Sequence, residues 1–200
     1  MRGPMRPSLR ALLAVPTLLA LLVLPGCVGP DEPAPGADLD GDGFIDEVET
    51  KFGSDPLDNA SLPDVTRSEA VTFSDTVQVV GTGVPSVQCP ADMVNSQVLT
   101  WTVAADVGNA TRAWVTDLVF EVTGAATVND VDLFVTDPEG RDLGSGTGST
   151  NAEAVSVRGE RPLGDYTIEV RGCSGAGDVA VAASGTVHWI PSAAELLADG

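Results

Sequence analysis

The strongest chemical signal in the chain is the twelve-residue run Asp38-Leu39-Asp40-Gly41-Asp42-Gly43-Phe44-Ile45-Asp46-Glu47-Val48-Glu49. A hard cation such as calcium needs oxygen ligands on all sides, and a loop of this length supplies them from places 1, 3, 5, 7, 9 and 12. Here those places hold Asp38, Asp40, Asp42, the carbonyl of Phe44, Asp46 and Glu49. Gly43 stands sixth, where a sharp turn requires positive φ, and Ile45 fills the apolar eighth place. Glu49 is placed to bind through both oxygens, and Asp46 through a water. Carboxylates this closely spaced repel one another unless a cation neutralises them. Without an ion, the same residues would make a solvated acidic loop.

The pattern resembles an EF-hand loop, with one departure. Pro33, Pro35 and Gly36 precede it, so no entering helix is expected, whereas an exiting helix fits Asp46–Phe52. The following Gly53-Ser54-Asp55-Pro56-Leu57-Asp58 is similar to the thrombospondin type 3-like calcium repeats of secreted prokaryotic proteins. That resemblance implies that Asp55 approaches the ion or orders the turn. A calcium sensor works by swinging two helices apart, and an unpaired loop lacks them. Extracellular modules bind calcium at about 10⁻⁴–10⁻³ M, as a structural ion. The expectation is a calcium ion that stiffens a junction.

Other candidates for chemistry are weaker. Asp130 and Asp132 alternate with Val131 and Leu133 and so share one strand face. Such a pair is ordinarily a solvated face, and it can also contribute to a second cation site. Neighbours on one face do not straddle a sugar bond as paired-carboxylate hydrolysis requires. The single histidine, His188, stands beside Trp189 with no G-x-S-x-G elbow in the chain. Gly144-Ser145-Gly146-Thr147-Gly148-Ser149-Thr150 lacks the lysine and spacing of a phosphate cradle and reads as a flexible loop. Trp101 and Trp114 suit a core, or a sugar platform if exposed. Asn59-Ala60-Ser61 and Asn109-Ala110-Thr111 are glycosylation sequons. No catalytic residue and no enzyme activity are expected.

The elements that must position the loop follow from composition and periodicity. Arg2, Arg6 and Arg10 precede an apolar run of 15 residues, Ala11 to Pro25, which is short for a membrane span and suits a signal peptide over residues 1–26. It ends in Leu24-Pro25-Gly26-Cys27, which resembles the lipobox of prokaryotic lipoproteins, although Pro25 replaces the small or branched residue usual there. The resemblance implies that Cys27 is lipidated and anchors the chain to the membrane at the cell surface; if the lipobox is not used, the chain is secreted. Residues 27–37, rich in Pro and Gly, then form an extended tether, and 38–60 form the calcium segment.

Beyond residue 26, 7 basic side chains face 29 acidic ones, a net charge of −22. Such a surface excludes nucleic acid as a partner, because phosphate binding needs clustered cations. With Cys27 assigned to lipid, Cys89 and Cys173 remain as a pair in an oxidising compartment. A disulfide between them would close a loop of about 85 residues, worth roughly 4–5 kcal/mol in the chain-entropy model. Free thiols and a metal pair are the alternatives.

From residue 65 to 190 the chain alternates short β-rich runs with Gly, Asn, Asp and Pro. Alternation is clearest at Trp114, Thr116, Leu118, Phe120 and Val122, and at Val131, Leu133 and Val135, giving one buried face per strand. Turn signals stand at Gly124, Asn129, Asp137–Gly140, Gly164-Asp165 and Gly175–Asp178. Seven or eight such strands predict an all-β fold, an antiparallel β-sandwich preceded by a short calcium-binding loop–helix segment. Residues 191–200 read as a tail, with a turn or two of helix over Ser192–Ala198 that frays.

Asn129-Asp130-Val131-Asp132-Leu133-Phe134-Val135-Thr136-Asp137-Pro138-Glu139-Gly140 is similar to a strand and turn of bacterial pre-peptidase C-terminal domains. Leu163-Gly164-Asp165-Tyr166-Thr167-Ile168-Glu169-Val170 resembles a second strand of that family. The resemblance spans about residues 68–188. It implies a jelly-roll-like, non-catalytic sandwich, usually appended to secreted proteases or surface proteins, with no protease domain beside it here. The expected function is that of a surface-anchored calcium-binding lipoprotein whose sandwich binds an extracellular protein or polysaccharide. The alternatives are a calcium-dependent carbohydrate-binding module, or an accessory or inhibitor subunit of a secreted hydrolase.

Overall fold

The computed structural model describes residues 36–83, 89, 95–108 and 110–198, all within one unit, Pro35–Gly200. The signal run, Cys27, tether residues 28–35 and Asn109 lie outside the described residues. Helix α1 covers Asp46–Phe52 and α2 covers Ala193–Ala198. Between them run β1 (Arg67–Thr82), β2 (Asn95–Val103), β3 (Arg112–Gly124), β4 (Val128–Thr136), β5 (Asp142–Gly146), β6 (Ala152–Val157) and β7 (Gly164–Ile190).

Strand β7 organises the rest. Its first half lies between β2 and β4, with β5 on the far side of β4. Its second half lies between β1 and β3, with β6 beyond β3. All pairings are antiparallel, so two four-stranded layers share one strand that passes from layer to layer, as corner strands of sandwiches do. Their inner faces meet in a single core, where Trp101 packs against Phe73, Phe120 and Tyr166 with ring centres 5.8–6.3 Å apart. The buried Tyr166 hydroxyl donates to the carbonyl of Pro162 at 2.7 Å, so its polar end is satisfied. The all-β sandwich is thus as periodicity predicts.

Local details differ. Gly175–Asp178, read as a turn, continues β7 through the crossover. Gly175 adopts φ +86°, and a Cβ there would lie 2.2 Å from the Thr127 carbonyl oxygen. Only glycine fits where the two backbones approach this closely. Gly144 to Gly146, read as flexible loop, belong to β5, which pairs with Leu133–Thr136 of β4. Asn129 lies inside β4 and Gly124 ends β3. In β3 the register shifts between Thr116 and Val119, with Asp117 at φ +53°. The extra residue reverses which side chains point inward: Val115, Leu118, Phe120 and Val122 are buried, while Trp114 and Thr116 are on the other face, half-buried.

Residues 191–200 are not simply a tail. Helix α2 opens on Ser192-Ala193-Ala194-Glu195, a capping-box pattern, and the Glu195 amide donates to Ser192 Oγ at 3.3 Å. It buries Leu196 with Val48 and Val65 in a second small core, flanked by Phe44, Ile45 and Ile190. The chain's one lysine, Lys51, donates from Nζ to the Leu196 and Leu197 carbonyls at 2.7 and 3.3 Å. Arg67 pairs with Glu195 at 2.8 Å. The acidic segment is therefore docked on the sandwich through α2.

Candidate metal centre

Helix α1 begins where the exiting helix was expected, and its first turn places Asp46, Glu47 and Glu49 at the positive end of the helix. It ends on Gly53 at φ +83°, whose amide donates to the Glu49 carbonyl at 2.8 Å. Gly43 has φ +102°, the conformation its place requires. The Gly41 and Gly43 amides donate to the two carboxylate oxygens of Asp38 at 2.7 and 3.2 Å. The Phe44 amide donates to Asp42 Oδ1 at 2.8 Å, and the Asp42 amide to Asp40 Oδ1 at 3.3 Å. The loop closes on the helix through two further bonds, Asp46 N to the Ala37 carbonyl and Leu39 N to Asp46 Oδ1, both 2.9 Å.

Each of four carboxylates thus has one oxygen tied into the local backbone or to a neighbouring side chain. The other oxygen of each, Asp40 Oδ2, Asp42 Oδ2, Asp46 Oδ2 and Glu49 Oε2, is buried without a hydrogen-bond partner. These residues occupy places 3, 5, 9 and 12. Asp38, Asp40 and Asp42 each bring an oxygen within 4.8 Å of the others'. Glu49 is 0% exposed, and its Oε1 accepts the Ser54 hydroxyl at 3.3 Å. Burial pushes the Glu49 carboxyl above its ordinary value, and the charges of Asp40 and Asp42, with Asp46 behind them, push the same way. Asp40 is raised too, by burial and then by Asp42 and Asp38, against the Asp42 amide bond.

Buried polar atoms normally have partners, and buried carboxylates in particular are paired, protonated or metal-bound. Unpartnered buried oxygens on four carboxylates of one loop, two of them in a group with Asp38 whose oxygens lie within 4.8 Å of one another, therefore fit an oxygen-preferring divalent cation. Phe44 also sets its side chain against the second core, so the loop and the α1–α2 junction share a residue. Asp55 orders the turn: its Oδ1 accepts the Leu57 amide at 3.1 Å, and its own amide donates to Ser61. Sequence reasoning missed Lys51 and α2 as the loop's mounting; the Ser192-x-x-Glu195 capping pattern was the available signal.

Cys89 and Cys173 form a disulfide with Cα atoms 5.4 Å apart. A carboxylate oxygen of Asp132 lies within 4.8 Å of both sulfurs, but sulfurs bonded to each other are not thiolate ligands. Asp130 and Asp132 do not form a solvated face: both are 0% exposed. Burial pushes the Asp132 carboxyl up, the Cys89 amide bond opposes this, and the Asp130 charge adds to it. His188 lies inside β7, stacked on Trp114 at 5.6 Å and bonded to Thr116 Oγ1 at 3.0 Å. The Trp114 ring also carries the Arg112 guanidinium 4.6 Å from its centre, and Trp101 is 4% exposed in the core.

No family model and no curated protein matches the chain. Among solved structures it is similar to a chain from Bacillus endospore appendages, a family of disulfide-linked pili. The identity there is 10%, with 63% of this chain and 92% of that chain covered and a TM-score of 0.30. It is also similar to a chain of infectious bursal disease virus, Gx strain, at 10% identity and a TM-score of 0.26, with 63% of this chain covered. There it spans about a third of the viral chain's length, 32%.

Proposed function

We propose that this chain is an exported, non-catalytic calcium-binding surface protein, held at the membrane through Cys27. Calcium in the 38–49 loop fastens the tether end of the chain to a sandwich that binds an extracellular ligand or partner protein. The observation that carries this reading is the set of four buried, unpartnered carboxylate oxygens on Asp40, Asp42, Asp46 and Glu49. Asp38, the Phe44 carbonyl and water would complete the shell. The docking of α1 on α2 supports a structural ion, because the helix that leaves the loop is already packed and has no second loop to swing against. Trp101 in the core, and Trp114 already stacked, speak against tryptophan as a sugar platform.

Calorimetric titration of the chain with calcium tests the reading beside an Asp38→Ala/Glu49→Ala variant. The expected result is a saturable site in the millimolar range or tighter that the variant lacks. Chelation is expected to open residues 38–60 to protease. Absence of a difference between parent and variant, or unchanged cleavage on chelation, rejects it.

A further inference from the structure

Asp132 on β4 is 0% exposed and sits against the Cys89–Cys173 bridge, whose two cysteines are each 3% exposed. Both sulfurs and one carboxylate oxygen of Asp132 lie within 4.8 Å of one another. Asp132 Oδ2 accepts the Cys89 amide at 2.8 Å, whereas its Oδ1 is buried with no hydrogen-bond partner among the described residues. Arg171, opposite Asp132 on β7, holds Glu169 through two of its nitrogens at 2.7 and 3.0 Å. The disulfide is neutral and offers the free oxygen nothing. A buried carboxylate oxygen in that position lacks either a donor or a cation. Opening the bridge changes what surrounds it. Two thiols beside a carboxylate are held protonated by burial and by its charge, and a bound cation lets all three ionise together.

We propose that the reduced chain binds one zinc ion through the sulfurs of Cys89 and Cys173 and a carboxylate oxygen of Asp132. Thiolates favour zinc over calcium, so this site differs in chemistry from the 38–49 loop. Zinc holds sulfur at about 2.3 Å and carboxylate oxygen at about 2.0–2.2 Å in a tetrahedron, with its two sulfurs roughly 3.8 Å apart. The two Cα atoms, 5.4 Å apart, already stand where both sulfurs can reach one ion. Moving from bond to ion therefore asks for rotation of two side chains, and water supplies the fourth ligand. The steps balance: a phosphine reductant and one water turn the disulfide into two thiols and leave the phosphine oxide. Zinc then replaces the two thiol protons, which pass to solvent. Bond and ion exclude each other, so only a chain whose bridge has not formed, or has been reduced, takes the metal.

Cobalt titration of the full chain, reduced with phosphine under anaerobic conditions, reads the site by absorption. The expected result is one cobalt per chain with a thiolate charge-transfer band and tetrahedral visible bands, both displaced by zinc and both absent from the oxidised chain. Cys173→Ser is expected to lower the charge-transfer band. An outer-shell partner alone is worth 10–100-fold in metal affinity, so Asp132→Asn is expected to weaken binding roughly tenfold or more. Asparagine keeps an acceptor for the Cys89 amide, so the fold is spared. Asp38→Ala/Glu49→Ala is expected to keep the sulfur bands, which separates this site from the loop. A reduced chain without the charge-transfer band, or bands lost in the loop variant, overturns the inference. Unchanged affinity in Asp132→Asn overturns the three-residue site. Near-UV circular dichroism follows the fold: a reduced chain that loosens and is restored by zinc supports the inference, and one that zinc does not restore overturns it.

Discussion

Glu49 is the residue on which the loop's electrostatics turn. It is fully buried beside Asp40, Asp42 and Asp46, so its charge favours a bound cation and disfavours the ion-free fold. Glu49→Gln is therefore expected to weaken calcium binding roughly tenfold or more, through loss of a bidentate ligand. In chelator the same variant should melt no lower than the parent, because a buried like charge has gone. Thermal melts with and without calcium check the reversal; a variant less stable in both conditions refutes it. Asp137 shows the opposite case. Burial works against its charge, but the Arg141 amide and guanidinium and the Glu139 amide hold its carboxyl below the ordinary 3.8. A carboxyl lowered on folding stabilises the fold above its ordinary value and stops doing so as pH falls through the folded value. Asp137→Ala is expected to cost about 1–3 kcal/mol at neutral pH, and less as pH drops below 3.8. Urea unfolding at two pH values measures both.

Among the elements, α2 is the mounting of the acidic segment 38–60. It gives Leu196 to the second core and the Leu196 and Leu197 carbonyls to Lys51. A chain stopped after Pro191 should keep its sandwich, bind calcium more weakly and be cut more readily over residues 38–60. Calorimetry and limited proteolysis on that truncation decide; unchanged affinity would mean that the loop folds without its support. What could be read at this scale depended on locality. The loop and α1 are specified by residues within a dozen positions of one another, and were legible. The bulge at Asp117 was not, because counting by twos assumes that no residue is inserted, and so Trp114 was assigned to the core. Gly175–Asp178 carries turn residues, yet it stays extended because it pairs with β1 on one side, while on the other Val128 pairs with Gly175, Ala125 N donates to the Asp178 carbonyl and Ala176 N donates to the Thr127 carbonyl. The burial of Asp130 and Asp132 arises from distant parts of the chain, Cys89 among them, and leaves no mark in the local pattern.

For the whole molecule, a net charge of −19 is a standing self-repulsion. Salt shortens its range to about 8 Å at physiological strength and about 3 Å at 1 M. The melting temperature in chelator is expected to rise between low and high sodium chloride, and to rise less when calcium is present. Scanning calorimetry across a salt series checks this; a flat series would mean that the acidic groups are too dispersed to matter.

The place of β7 has a consequence for how the chain comes to be folded. β1, β2, β3 and β4 all find their neighbour in β7, and it is the last strand in the order of synthesis. Neither layer can close until residues beyond Gly164 have emerged, and the contacts that close it span most of the chain. Folds dominated by distant pairings form slowly. A nascent chain of this kind keeps its early strands without their neighbour until β7 emerges, a state exposed to aggregation.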